Sequence, residues 1–163
     1  MAILYLLCGT PGSGKSTWIK NHYKEDDIII SRDKIRFSMV ADGEEYFSKE
    51  KEVYKEFIKQ INENLKLGVN VYADATHLNK ASRAKLLKNI KEKPDSIEII
   101  WIKTPLLECL KRNENRRGTR SYVPKEVIRR MFIQTEAPEF EEGFNKIYIV
   151  EDEKPIQIIE KEI

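Results

Sequence analysis

Three observations predict an α/β fold with a central parallel sheet flanked by helices. Short apolar runs alternate with segments of helical period along most of the chain. A glycine-rich octapeptide, Gly9-Thr10-Pro11-Gly12-Ser13-Gly14-Lys15-Ser16, joins the first run to the first helical segment. Gly9, Asp33 and Asp74 stand just past the ends of successive runs, where parallel sheets bind ligands.

The elements follow in order. Ile3 to Leu7 is an apolar run that reads as a buried parallel strand. The segment from Ser16 to about Tyr23 reads as the first helix. Ile28-Ile29-Ile30 is the second strand, and Ser31-Arg32-Asp33-Lys34-Ile35-Arg36 opens a short helix that runs through Val40. Asp42-Gly43 breaks it. From Ser48 a long helix is expected, because Tyr54, Phe57, Ile58, Ile61 and Leu65 recur at helical spacing, with Gly68 just past its end. Residues 69–73 form the third strand and Asp74 ends it. Residues 79–89 read as a helix and residues 97–102 as a fourth strand. Thr104-Pro105 starts the next helix, with threonine as N-cap and proline at the first helical position. That helix carries Leu106, Leu107 and Leu110 into Arg112, Arg116, Arg117 and Arg120. Val123-Pro124 begins another helix, and residues 144–150 a last strand. The tail, 151–163, is charged with alternating isoleucines and fits either a strand or a loose end. Trp18, Trp101 and the helically spaced phenylalanines are expected in the core.

The chain of 163 residues is expected to be a single domain with its own core. A net charge of +2 excludes a broadly basic protein, so any nucleic-acid contact must come from a local patch. Its two cysteines, Cys8 and Cys109, form no CxxC pair or His/Cys cluster. Neither zinc nor a disulfide framework is expected, and Cys8 reads as a small buried thiol. Residues 1–7 are too short for a signal peptide, and no stretch approaches a membrane span, so the cytoplasm is the expected setting.

The octapeptide fits G-x-x-x-x-G-K-[ST], the phosphate-binding loop of nucleoside triphosphatases. Glycines let the backbone curl until successive N–H groups face one anion. The following helix, through Ser16 and Thr17, aims its N-terminal dipole at the same phosphates. Lys15 supplies a point charge near the β- and γ-phosphates of ATP, and the Ser16 hydroxyl is a ligand for Mg²⁺.

Asp33, after the second strand, is placed to accept a proton from an attacking hydroxyl; the bland reading makes it a helix cap. Arg36 lies one helical turn on and faces the same side, ready for an acceptor phosphate. Asp74 can orient water on Mg²⁺ or position the acceptor; a turn-forming role is its alternative. His77 reads as a turn residue. Arg112 and Arg116, four apart, share a helix face, and Arg117 and Arg120 follow around Gly118. These four arginines read as a lid over the γ-phosphate.

The strings GTPGSGKSTW, SRDKIR, DATHLN, KRNENRRGT and VPKEVIRRM resemble, in the same order across residues 9–131, the kinase domain of the phage polynucleotide kinase-phosphatase. The resemblance implies a 5′-hydroxyl polynucleotide kinase acting on single-stranded DNA or RNA ends. Lys15 and Ser16 then match the ATP and Mg²⁺ ligands, Asp33 the general base, and Arg36 the residue that binds the acceptor's 3′-phosphate. For the lid arginine, spacing from Arg112 selects Arg116 and register against Gly118-Thr119 selects Arg117. No D-x-D-G-T phosphatase motif is found, so 3′-phosphatase activity is not expected and a repair ligase is implied as functional partner. A phage-encoded member would work in its host's cytoplasm. Alternatives are a kinase of a small metabolite or nucleoside, a kinase of a tRNA-bound group, and an ATP-binding switch. Homo-oligomerisation stays open.

Overall fold

A computed structural model describes residues 2–162, leaving Met1 and Ile163 of the sequence-based readings outside it. Five parallel strands are β1 (Ile3–Cys8), β2 (Ile28–Ser31), β3 (Val71–Asp74), β4 (Ser96–Ile102) and β5 (Lys146–Val150). A sixth, β6 (Gln157–Glu160), pairs antiparallel with β5, with Ile159 opposite Ile147. The tail is therefore an edge strand of the sheet. The order is β2-β3-β1-β4-β5-β6.

Among the described residues the α-helices are α1 (Lys15–His22), α2 (Arg32–Met39), α3 (Glu50–Lys66), α4 (Lys80–Asn89), α5 (Leu106–Glu114) and α6 (Lys125–Gln134). Strand β1 lies between β3 and β4, so the sheet's winding reverses at its C-terminal end. That crevice is where the glycine-rich loop emerges.

Both faces of β1 are buried, which explains its unbroken apolar run. Leu4, Leu6 and Cys8 pack with Val53, Phe57, Ile61 and Leu65 of α3. Leu7 packs with Ile19 of α1, Ile100 and Ile102 on the other face. Trp18 and Trp101 are half-buried rather than core. Trp18 stacks on His22, and Lys103 sits over the Trp101 ring. Their breadth suits them to cover the margins of the two apolar layers.

Thr104 does not cap α5. Pro105 holds that position, and the buried Thr104 hydroxyl donates instead to the Ser13 carbonyl at 2.6 Å. A helix start without a cap is tolerated here because the hydroxyl satisfies a loop carbonyl that is also buried. The arginine segment departs from expectation as well. Helix α5 ends at Glu114, so Arg116 lies in the turns beyond it and shares no helix face with Arg112. The side chain of Asn113 clamps both polar groups of the Val123 backbone, closing the 115–122 excursion at its base. No helix among the described residues is long and apolar enough to cross a membrane.

Candidate active site

The loop is built as the motif requires. Gly12 and Gly14 adopt φ of +83° and +103°. A Cβ on Gly12 would lie 2.7 Å from the Cys109 carbonyl oxygen, so the loop is pressed against α5 from behind. Arg112 secures that contact from outside the cleft. Its guanidinium donates to the Ser13 carbonyl at 3.0 Å and the Gly12 carbonyl at 3.3 Å, and pairs with Glu108. Thr10 donates its hydroxyl to the Cys109 sulfur. At the loop's start, the Gly9 N–H donates to the Thr76 carbonyl, which joins it to the turn after β3.

That turn carries Asp74 and is held by His77 and Arg83. His77 has φ +41° and is buried, and its Nδ1–H donates to the Leu7 carbonyl at 2.7 Å. Burial pushes the His77 imidazolium down to about 4, so the ring is neutral. Arg83 of α4, fully buried, donates to the His77 carbonyl and forks onto Glu142. In consequence Asp74 arrives beside the loop, where it accepts the Ser16 hydroxyl at 2.8 Å. Burial raises the Asp74 carboxyl, while Lys15 and the Ser16 bond pull the other way.

Lys15 is folded onto its own loop, donating to the Gly9 and Thr10 carbonyls at 2.9 and 3.0 Å. Burial lowers its ammonium, and Asp74 and Asp33 oppose that shift. A half-buried ammonium at the mouth of a glycine-rich loop is suited to a polyphosphate. The Ser13 hydroxyl is buried without a partner, packed against Gly9 behind the cleft. Among the described residues no cluster of three or more His, Cys, Asp or Glu could hold a metal ion. The donor set is Ser16 with Asp74 behind it, which fits Mg²⁺ held largely by water and phosphate oxygens.

Opposite the loop, α2 and α3 form a second wall. Ser31 caps α2, its hydroxyl accepting from the Lys34 N–H, so Asp33 is not the cap and its carboxylate is free for the cleft. That carboxylate is 62% exposed. Its Oδ1 accepts from Arg36 at 2.5 Å and from the Tyr46 hydroxyl at 3.0 Å. Arg36 is almost wholly buried. It forks onto Glu50 at 2.9 and 3.0 Å and lies under the rings of Tyr46 and Phe47. Four hydrogen bonds thus occupy a guanidinium that has five N–H donors. Arg32 also pairs with Glu50.

One cleft of about 280 Å³ joins these walls. It is lined by Pro11, Gly12, Gly14, Lys15, Ser16 and Thr17 on one side, and by Asp33, Arg36 and Phe47 on the other. Asp74 and Arg116 also line it. Other expected site residues lie elsewhere. Gly9 and Thr10 face a separate cavity under Trp101. Of the four arginines only Arg116 lines the cleft. Arg117 pairs with Glu114 and packs on Tyr122 at the surface, and Arg120 reaches Val40 and Asp42 past the end of α2. Glu50, Tyr46, Phe47 and Arg32 had no signal in the sequence. Arg36 and Glu50 are fourteen positions apart, and nothing local joins them.

A parallel sheet with this loop at its reversal point, an acid on the facing wall and a cleft between them defines a P-loop protein of the kinase type. The chain belongs to the family described as an AAA domain, which matches residues 4–138. It is 34% identical over 147 residues to L-seryl-tRNA(Sec) kinase of Methanococcus maripaludis, covering 83% of this chain and 53% of that protein. The chain therefore spans about half the length of this curated relative. Among solved structures, a chain of the Pnkp1/Rnl/Hen1 RNA repair complex superposes with a TM-score of 0.69 at 26% identity, over 82% of this chain and 43% of that one. Kti12 of Chaetomium thermophilum, solved with ADP-AlF3, gives 0.67 at 16% identity over 92% and 89%, a likeness of fold. The chain is accordingly a P-loop domain of the kinase type that resembles a polynucleotide kinase domain.

Proposed function

We propose that the protein is a polynucleotide 5′-hydroxyl kinase, which moves the γ-phosphate of ATP to the 5′-OH end of DNA or RNA. The observation that carries this reading is the shared cleft, with the phosphate loop on one wall and the exposed Asp33 carboxylate on the other. ATP·Mg²⁺ supplies the phosphoryl group. Lys15 turns from its own loop carbonyls to the β- and γ-phosphates, and the Ser16 hydroxyl, backed by Asp74, ligates the metal. Arg36 and Tyr46 hold one oxygen of Asp33 and leave the other to take the proton of the attacking alcohol. Arg36 keeps one donor for the acceptor's 3′-phosphate. Arg116 offsets charge on the transferring phosphoryl oxygens, in preference to Arg117, because it lines the cleft.

The product is a 5′-phosphate end, which a strand-joining ligase requires, so a repair ligase is the proposed partner. The test is label transfer from ATP to a 5′-OH oligonucleotide. Loss of transfer in Asp33→Ala with ATP binding retained supports the scheme, and undiminished transfer removes Asp33 as base.

A second reading follows from the 34% identity to a seryl-tRNA kinase. The acceptor would then be the serine hydroxyl of a charged tRNA. It uses the same loop and base, since both acceptors are primary alcohols carried on a nucleic acid. Transfer to seryl-tRNA and not to the oligonucleotide would select it.

A further inference from the structure

Beyond Arg36 the acceptor wall does not end. A second cavity of about 120 Å³ adjoins the main cleft, and Arg36 and Tyr46 line both. Its remaining walls are Phe37 from the last turn of α2, Val40 at the cap beyond it, residues 41–44, and Arg120 from the arginine segment. Arg120 lies over the Phe37 ring at 4.8 Å and donates to the Val40 carbonyl. Phe37 in turn meets Tyr46 edge to face at 6.3 Å.

This cavity holds charges of both signs, and their placement differs. Arg36 and Arg120 line its walls, with Arg120 38% exposed. The Asp42 carboxylate is 89% exposed and stands in solvent, 3.8 Å from Arg120. Glu44 is occupied by Lys49 at 3.9 Å and by the Ala41 N–H at 3.3 Å. Asp42 is thus the most solvent-facing of these groups, Glu44 and Arg120 share the mouth, and the aromatic rings with the buried Arg36 form the interior. Aromatic faces beside a guanidinium suit a nucleobase together with its backbone phosphate.

We infer that this cavity is a second acceptor subsite, which receives the second nucleotide of the strand, its base against Phe37 and Tyr46 and its phosphate at Arg120. The inference rests on the polynucleotide reading and extends it: the first phosphate sits at Arg36 and the next unit of the strand passes to Arg120. A substrate that ends at the first phosphate leaves the subsite empty.

The experiment compares two acceptors with the same terminal base, a nucleoside 3′-monophosphate and a dinucleotide 3′-monophosphate, by kcat/KM. Wild type should favour the dinucleotide about tenfold, a modest value for one stacked base and one phosphate. Arg120→Ala should bring that ratio to about one, and so should Ala41→Phe, which fills the cavity from an exposed position. A general defect lowers both acceptors and keeps the ratio. A wild type without preference, or variants that keep it, overturns the subsite while the kinase reading stands. Failure to phosphorylate either nucleotide overturns the kinase reading itself, and the subsite with it.

Discussion

The two walls of the cleft are built by different means. The donor wall is one short stretch of chain, within residues 11–17, whose backbone carbonyls are held by Thr104 and Arg112. The acceptor wall is assembled from side chains on α2, α3 and the arginine segment, linked by Arg36–Glu50, Tyr46–Asp33 and Arg120–Val40. A wall of backbone tolerates change outside the loop. A wall of interlocked side chains transmits each change to its neighbours.

The sharpest division concerns the arginines. Arg116→Ala should lower kcat by about 10³ or more, the range for an arginine that stabilises phosphoryl transfer, whereas Arg117→Ala should change it by only about twofold. Single-turnover transfer assays on the pair decide between them, and equal losses would merge the two roles. On the donor wall, Gly12→Ala forces Cβ toward the Cys109 carbonyl at an unfavourable φ. ATP affinity should fall by about thirty- to a hundredfold, on a strain of about 2–3 kcal/mol, measured by calorimetry. Acceptor-wall changes such as Asp33→Ala should leave that affinity intact.

Glu50→Gln tests the interlocked wall, because it removes one of the two carboxylates that pair with the buried Arg36 and leaves only the exposed Asp33. A loss of about 1–3 kcal/mol is expected at neutral pH, together with slower transfer through a loosened Asp33. Burial raises the Glu50 carboxyl, but hydrogen bonds and charge from Arg36 and Arg32 outweigh it and hold the group below its ordinary 4.5. Its stabilisation is therefore complete above that value and fades as pH falls through the lower folded value. Thermal melts of wild type and variant should converge on acidification below 4.5. The smallest effect belongs to Thr104→Val. Arg112 still serves the Ser13 carbonyl, so about 1 kcal/mol of stability and a few-fold weaker ATP binding are expected.

What could be read in advance divides along the same line. The loop, α1, the helix α4 within residues 79–89 and the end of α3 before Gly68 were legible, because each depends on neighbours a few residues apart. Asp33 and Asp74 were legible as strand-end acids, since their place follows from strand direction. The cap assigned to Thr104 failed because a loop carbonyl across the fold competed for its hydroxyl and won. The common face of Arg112 and Arg116 failed because α5 stops at Glu114, and Asn113 turns the chain there by bonding to Val123.

By itself, then, the sequence determined the α/β frame, the phosphate loop and the side of the sheet on which the cleft opens. These follow from periodicity and from contacts within one turn of chain. The tertiary structure alone decided which arginine enters the cleft, that Arg36 is held by Glu50, and that a second cavity opens beside Tyr46. Those depend on groups far apart in the chain, and their approach is governed by packing, which no local pattern encodes.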